Sequence, residues 1–321
     1  MPSNLDKFDH LVVLMLENRS FDNMLGWLYD PNNAPPFDKV PGGQTFNGVS
    51  GKALTNPIPD YAHGAEKVSV PYRKAKVMTH PNPDPGEEYY HTNTQLFGKV
   101  IPAKNRYKPF DRKPYNLPED AEHPHMDGFV RDYINHYEVE AKRRPNYEQY
   151  AQIMEGFAPA QVPVISHLAH NYAVCDNWHC SVPSQTICNR QFTHCGQSHG
   201  YVNNSPFIHW MFHPMETIFN RIQDAEDPKV TWRVYFDLID VAPLTMLTNP
   251  KLWKYRKSNV TTMAEFFKDA EEGTLPSYSF IEPRLSLDHN DQHPPSVDFF
   301  QTSSVLAGEI LIKNIYDALR N

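Results

Sequence analysis

Glu17, Asn18, Thr186 and His293 are the residues whose types and settings could do chemistry in this chain. Glu17-Asn18 follows directly on the apolar run Leu11-Val12-Val13-Leu14-Met15-Leu16, so a carboxylate and an amide oxygen stand side by side where a buried strand ends. Oxygen donors of that kind suit a hard divalent cation. Thr186 lies in the hydroxyl-rich loop Ser181-Val182-Pro183-Ser184-Gln185-Thr186-Ile187-Cys188-Asn189-Arg190. A hydroxyl is a poor nucleophile at its ordinary pKa, and a cation held by Glu17 and Asn18 would activate it by coordination. At a helix N-terminus the same threonine would bring an incoming phosphate against backbone amides and the positive end of the helix dipole. A third polar loop, Asp288-His289-Asn290-Asp291-Gln292-His293-Pro294-Pro295, offers imidazoles that titrate near neutral pH.

Each of these has a plainer alternative. Asn18 and Ser20 would cap a short helix over Phe21-Asp22-Asn23-Met24-Leu25 that Gly26 stops, with Glu17 paired to Arg19. Thr186 would be a helix N-cap, and His293 one loop histidine among the chain's 16. Spacing alone leaves both readings open.

The elements that must position these residues follow from apolar patterning. The unbroken run over residues 11–16 predicts a strand covered on both faces, as at the centre of a parallel sheet. Residues 127–143 predict a helix, with Phe129, Tyr133 and Tyr137 four apart and Pro145 as a stop. A helix over residues 164–170 begins after Pro163 and leads into a short buried strand over 172–176. Further on, the pattern gives a helix near 214–223, a strand over 230–236 and a helix carrying Met263, Phe266, Phe267 and Ala270. A strand over 277–281 then ends in Glu282-Pro283-Arg284, and a last amphipathic helix carries Ile312, Ile315, Tyr316 and Leu319. Helix and strand in alternation is the grammar of an α/β fold. If one parallel sheet carries the three polar loops, they converge on a single crevice outside its carboxyl edge.

Residues 30–125 break this pattern, being rich in Pro, Gly, Asn and Asp. A stretch this long without periodicity reads as functional loops over the carboxyl edge, lid-like because Tyr61, Tyr72, Tyr89, Tyr90, Phe97, Tyr107 and Phe110 can pack. The four cysteines, Cys175, Cys180, Cys188 and Cys195, have no C-x2-C pair and read as buried free thiols, not a zinc site. A net charge of −8 and the lack of basic runs argue against nucleic acid as a partner. No segment reaches 18 consecutive apolar residues, so no transmembrane segment is expected. The first residues lack the pattern of a signal peptide, which makes the cytoplasm the default location and secretion the alternative if a leader is missing from the sequence.

Taken together, several blocks resemble one family. Leu14-Met15-Leu16-Glu17-Asn18-Arg19-Ser20-Phe21-Asp22 is similar to the E-N-R-S-F-D-H signature of the bacterial phospholipase C, plant non-specific phospholipase C and acid phosphatase family. Val174-Cys175-Asp176-Asn177-Trp178, Ser181-Val182-Pro183, Thr186 with Asn189-Arg190, and Ser198-His199-Gly200 resemble its second block. Asp84-Pro85-Gly86, Met126-Asp127-Gly128-Phe129, Glu282-Pro283-Arg284 and Asn290-Asp291-Gln292-His293-Pro294 recur in the family's order, from about residue 8 to the last. The resemblance implies a single phosphoesterase-type domain over residues 1–321, folded as an alkaline-phosphatase-like three-layer α/β/α sandwich. It implies one divalent metal ion with Glu17 and Asn18 as ligands, and Thr186 as the nucleophile that carries the phosphoryl group. His293 is implied as a phosphate contact or acid/base, with Asn189, Arg190, Glu87 and His289 at the substrate. The implied partner is a phosphoester, a phospholipid among the candidates.

The chain also departs from the pattern. Asn23 stands where the signature has His, and Glu87 follows Asp84-Pro85-Gly86 where many relatives have His. Relatives follow the last helix with a strand and an acidic pair that adds metal ligands, and the sequence stops before it, at Asn321. The domain is therefore read as C-terminally incomplete. If these residues are the whole product, weak or no metal-dependent turnover is expected; if they are a fragment, the family activity belongs to the parent. A phosphate-binding pseudoenzyme and an acid phosphatase acting on phosphomonoesters are the rival readings.

Overall fold

The computed structural model describes residues 7–62, 67–98, 123–225, 230–295 and 303–320. In chain order the elements are β1 (Leu11–Leu14), α1 (Phe21–Leu25), β2 (Thr55–Pro57), β3 (Ser69–Pro71), β4 (Arg73–Lys74), α2 (Tyr89–Phe97), α3 (Phe129–Ala141) and α4 (Tyr147–Tyr150). They continue with β5 (Glu155–Gly156), α5 (Pro163–Asn171), α6 (Thr186–Cys195), α7 (Ile208–Phe212), α8 (Ile218–Gln223), β6 (Trp232–Phe236) and α9 (Leu244–Thr248). β7 (Val260–Thr262), α10 (Met263–Glu271), β8 (Tyr278–Ile281) and α11 (Val305–Arg320) close the chain.

The central sheet has the order β1-β8-β6-β7, and every pairing in it is parallel. Alternation along the strands sorts side chains to two faces. Trp232, Val234 and Phe280 meet Phe219 of α8 and Met246 of α9 on one face, with Val13 and Met15 packed against them. Tyr235 and Ile281 meet Phe266 of α10 and Leu311 and Ile315 of α11 on the other, with Val12, Leu14 and Leu16. Helices thus cover both faces of a mixed α/β fold.

Two expectations are corrected here. β1 is covered on both faces, but among the described residues it lies at the sheet's edge, half-buried, and Leu11 is exposed. Continuous apolarity reports cover above and below a strand and says nothing of its lateral neighbours. Residues 172–176 form no strand: no ladder partner is aligned with them, and Tyr172 and Cys175 are exposed. Only Val174 of that stretch packs against an apolar cluster, and the Tyr172 hydroxyl bonds that of Tyr316 at 2.9 Å.

The loop-rich stretch is more structured than its composition suggests. It carries β2, β3, β4 and α2, and Ile58 and Val70 join Val130, Tyr133, Ile134 and Tyr137 of α3 in a separate core. Tyr89 and Phe97 are buried and Tyr61 is exposed, while Tyr107 and Phe110 lie outside the described residues. All four cysteines are free thiols, but Cys175 and Cys180 are exposed, so burial holds only for Cys188 and in part for Cys195. No helix among the described residues is long and apolar enough to cross a membrane.

Candidate active site

The carboxyl ends of β1 and β8 bring together the loops at 15–20 and 282–293. The backbone N–H of Glu17 donates to the carbonyl of Asp291 at 3.0 Å, and that bond joins the two loops. Ser20 caps α1 by accepting from the Asn23 N–H at 3.1 Å, which leaves Glu17, Asn18 and Arg19 free for longer-range contacts. Thr186 is the first residue of α6, after the N-cap Gln185, and Gly196 ends that helix in a left-handed conformation at φ 69°. The Thr186 side chain therefore stands at the positive end of a ten-residue helix.

Two clusters form the site. In the first, the Thr186 hydroxyl donates to Oε2 of Glu17. Oε1 of Glu17 accepts from Nη2 of Arg190 at 2.5 Å and from Nε at 3.0 Å. Both side chains are nearly sealed, at 3% exposure for Arg190 and 8% for Glu17. Burial opposes the Arg190 charge, but Glu17 and Glu282 more than restore it and raise its pKa. Arg190 also donates to the Met15 carbonyl at 2.9 Å, and its Nη1 is buried with no partner. Glu17 thus pairs with Arg190, not with its sequence neighbour Arg19. The Arg19 side chain instead reaches the Gln292 carbonyl at 2.6 Å, the His80 carbonyl at 2.9 Å and Oδ1 of Asn23 at 3.0 Å. Burial lowers its pKa to about 10 against the pull of Asp84 and Asp291.

In the second cluster, the Asn18 side-chain amide meets Oε2 of Glu87 and lies 2.7 Å from Nε2 of His293. Asn18 holds φ at 64°, a left-handed conformation that asparagine tolerates better than most side chains, and this turn aims its amide across the crevice. His293 stands 3.4 Å from Asp84 through Nε2 and 3.1 Å from Oδ2 of Asp291 through Nδ1. Asp291 is fully buried and takes the His293 N–H at 3.0 Å and Nδ1 of His289 at 3.2 Å. Burial works against the His293 cation, yet Asp291 and Asp84 outweigh it and hold its pKa at about 11. Burial would raise the Asp291 pKa, but the two histidines pull it well below the usual carboxylate range. Burial, then repulsion from Asp84, pushes Glu87 up to about 8.

Two sets of three ligand atoms lie mutually within 4.8 Å: Asp84, Glu87 and His293, and His289, Asp291 and His293. Two half-buried carboxylates beside an imidazole form the oxygen-rich set that a divalent cation takes, so the residues present fit one. Asn18 borders that set. Glu17 belongs to neither set: its oxygens are bonded by Arg190 and Thr186, and its charge acts on Glu87 from beside them.

Of the residues expected at the site, Thr186, Arg190 and Glu17 meet in one cluster and Asn18, Glu87, His293 and His289 in the other. Asn189 is turned away from both. Its amide bonds Val182, Ser184 and Gln185 backbone groups at 2.9–3.2 Å and holds the loop that precedes α6. Asn23 bridges Arg19 and the Glu155 carbonyl. Sequence reasoning gives Asp84 and Asp291 no role and Arg19 only a pairing with Glu17; for Asp291 the alternation Asp288-His289-Asn290-Asp291-Gln292-His293 is the available signal.

A family model described as the phosphoesterase family matches residues 8–321. Over 315 residues the chain is 32% identical to non-specific phospholipase C3 of Arabidopsis thaliana, covering 97% of this chain and 51% of that protein. Over 317 residues it is 30% identical to non-specific phospholipase C4 of the same plant, covering 97% and 50%. A non-hemolytic phospholipase C of Pseudomonas aeruginosa is 25% identical over 259 residues, covering 74% of this chain and 28% of that protein. The chain spans about half the length of the plant relatives it matches.

Proposed function

Since the chain belongs to the phosphoesterase family, we propose that it hydrolyses phosphoester bonds with the Thr186 hydroxyl as nucleophile and a phospholipid as substrate, in the manner of a phospholipase C. The observation that carries this reading is the Thr186 hydroxyl bonded to Glu17 at the N-terminus of α6, with Arg190 locking the carboxylate in place. The oxygen of Thr186 attacks phosphorus while its proton passes to Glu17, the bond from phosphorus to the alcohol breaks, and the departing oxygen takes up a proton. Water then cleaves the phosphothreonine and restores the hydroxyl. The unpartnered Nη1 of Arg190 is a donor for a phosphoryl oxygen at that point.

In the metal-free site Asp291 and Asp84 favour the His293 cation, and in that state we assign it to holding charge against the phosphoryl group more than to accepting a proton. Asp84, Glu87 and, when deprotonated, His293 would hold one divalent ion, with the Asn18 amide beside them. A bound ion there supplies positive charge that polarises the phosphoryl oxygens. Glu17 can join it only by giving up one of its two present partners. The parallel sheet with helices on both faces and a site at its carboxyl ends supports the further assignment to an alkaline-phosphatase-like sandwich.

The test is hydrolysis of p-nitrophenyl phosphate and p-nitrophenylphosphorylcholine by wild type, Thr186→Ser and Thr186→Ala, with mass spectrometry of the acid-quenched protein. The reading expects turnover and a trapped phosphoprotein for wild type, a reduced rate for serine and roughly a thousandfold loss or more for alanine. Equal rates for wild type and Thr186→Ala would remove Thr186 from the reaction.

A further inference from the structure

The turn after β6 is built inside out. Leu238, Ile239 and Val241 are 67%, 41% and 88% exposed, whereas the two carboxylates of the same turn, Asp237 and Asp240, are half-buried and bonded to the protein. Asp240 accepts the Leu285 N–H at 2.6 Å, the Ser286 N–H at 3.2 Å and the Ser286 hydroxyl at 2.5 Å. Asp237 accepts the Ile239 N–H at 3.1 Å and stands 3.6 Å from Arg284. A surface turn in water ordinarily shows its carboxylates and hides its leucines. Val241 adds to the anomaly with φ at 57°, a left-handed conformation that a β-branched residue adopts at a cost, held where its side chain points into solvent.

The bonds from Asp240 fasten this turn to the loop that bears Leu287, itself 56% exposed. Two residues on, His289 joins the cluster of Asp291 and His293, and the Arg284 N–H is held by Asn290 at 2.7 Å. The apolar tips therefore stand on the rim of the candidate site, at the carboxyl edge of the sheet. Their collar is acidic on balance: Asp237, Asp240 and Asp288 stand in these two turns, and the Arg284 guanidinium is shared between Asp237 and Asp288.

We propose that Leu238, Ile239, Val241 and Leu287 form a docking edge that enters the surface of a zwitterionic phospholipid bilayer and brings the site to its substrate. This rests on the reading of the substrate as a phospholipid. Apolar tips gain by leaving water for the acyl boundary. The acidic collar complements the outward-facing ammonium of choline or ethanolamine headgroups and is repelled by anionic lipids.

The experiment is flotation of the protein with phosphatidylcholine vesicles, and with vesicles enriched in phosphatidylserine, for wild type, the double variant Leu238→Asp/Val241→Asp and the independent variant Leu287→Asp. Hydrolysis of the soluble ester p-nitrophenylphosphorylcholine is measured alongside. Wild type is expected to float with phosphatidylcholine and less with the anionic vesicles, and each variant to bind about tenfold more weakly or worse with its soluble activity unchanged. Variants that float like wild type, or stronger binding to phosphatidylserine, would overturn the proposal. So would a wild type that does not float, including one that sediments as a dimer which the variants dissolve, since the patch would then face a second copy. If no protein hydrolyses the soluble ester, the enzymatic reading fails while flotation still decides the docking edge.

Discussion

The Thr186 hydroxyl donates its hydrogen bond to a carboxylate 169 residues earlier in the chain, Oε2 of Glu17, whose other oxygen is held by Arg190 from one turn further along the same helix. One side chain of β1's loop thereby fixes both the start and the first turn of α6.

That buried pair sets a stability prediction. Glu17→Gln leaves the Arg190 guanidinium buried without its bonded carboxylate, which costs about 3–5 kcal/mol, whereas Glu17→Gln/Arg190→Leu recovers a good part of the loss. Urea unfolding of the three proteins checks it. A single variant within about 1 kcal/mol of wild type would mean the pair is not sealed as described.

Asp291 is predicted to control the charge of His293. Asp291→Asn removes the main opposing partner of the imidazolium, so the His293 titration followed by NMR should fall from about 11 toward the ordinary imidazole range. A titration that stays near 11 in the variant would hand control to Asp84 instead.

The metal-free protein should lose stability as pH rises through neutrality. Glu87 binds its proton more tightly folded than unfolded, so between its ordinary range and about 8 the unfolded state is the one that has lost the proton, and stability falls with rising pH. His293 acts in the same direction: its contribution is complete below the ordinary imidazole range and is lost on the way to about 11. Glu87→Gln should flatten the part of the slope below pH 8. Added Mn²⁺ or Mg²⁺ should raise the melting temperature more at pH 8 than at pH 5, because the ligands must shed protons to bind it. Calorimetric melts with and without chelator read both effects, and a cation response equal at the two pH values would count against Glu87 as a ligand.

Gly308 of α11 supports the 290–293 loop from beneath. A Cβ there would come within 2.2 Å of Cγ of Gln292 and 3.2 Å of the Asn290 carbonyl. Gln292 is itself buried and left-handed at φ 73°. Glycine to alanine in a helix interior ordinarily stabilises by up to about 1 kcal/mol. Here Gly308→Ala is expected to destabilise by about 1–3 kcal/mol and to lower activity by displacing His293. A thermal melt showing stabilisation would indicate that the loop shifts freely.

The legible parts of this molecule were the local ones. The apolar periods of residues 127–143, 263–270 and the last helix, with Pro145 and Pro163 as boundaries, matched α3, α10, α11 and α5 because a helix's buried stripe is written every three or four residues. The run over 172–176 misled for the same reason: apolarity over five residues cannot say whether a neighbouring strand is there to take its hydrogen bonds. Asn189 sits within one turn of Thr186 and beside Arg190, yet its amide closes its own loop, a choice that depends on which carbonyls the turn exposes. Asp84 and Asp291 went without a role because an acidic residue in a Pro- and Gly-rich loop reads as solvated until burial is known.

The sequence by itself determined the α/β alternation, the family and the set of polar loops, since each is carried by residue types at short spacing. Tertiary structure decided the partners. It paired Glu17 with Arg190 in place of the nearby Arg19, put Asp84 and Glu87 against His293, and turned Leu238, Ile239 and Val241 outward. The physical reason is that side-chain charge and hydrogen bonding act over a few ångströms of space, while the groups they join here lie from 2 to 275 positions apart along the chain.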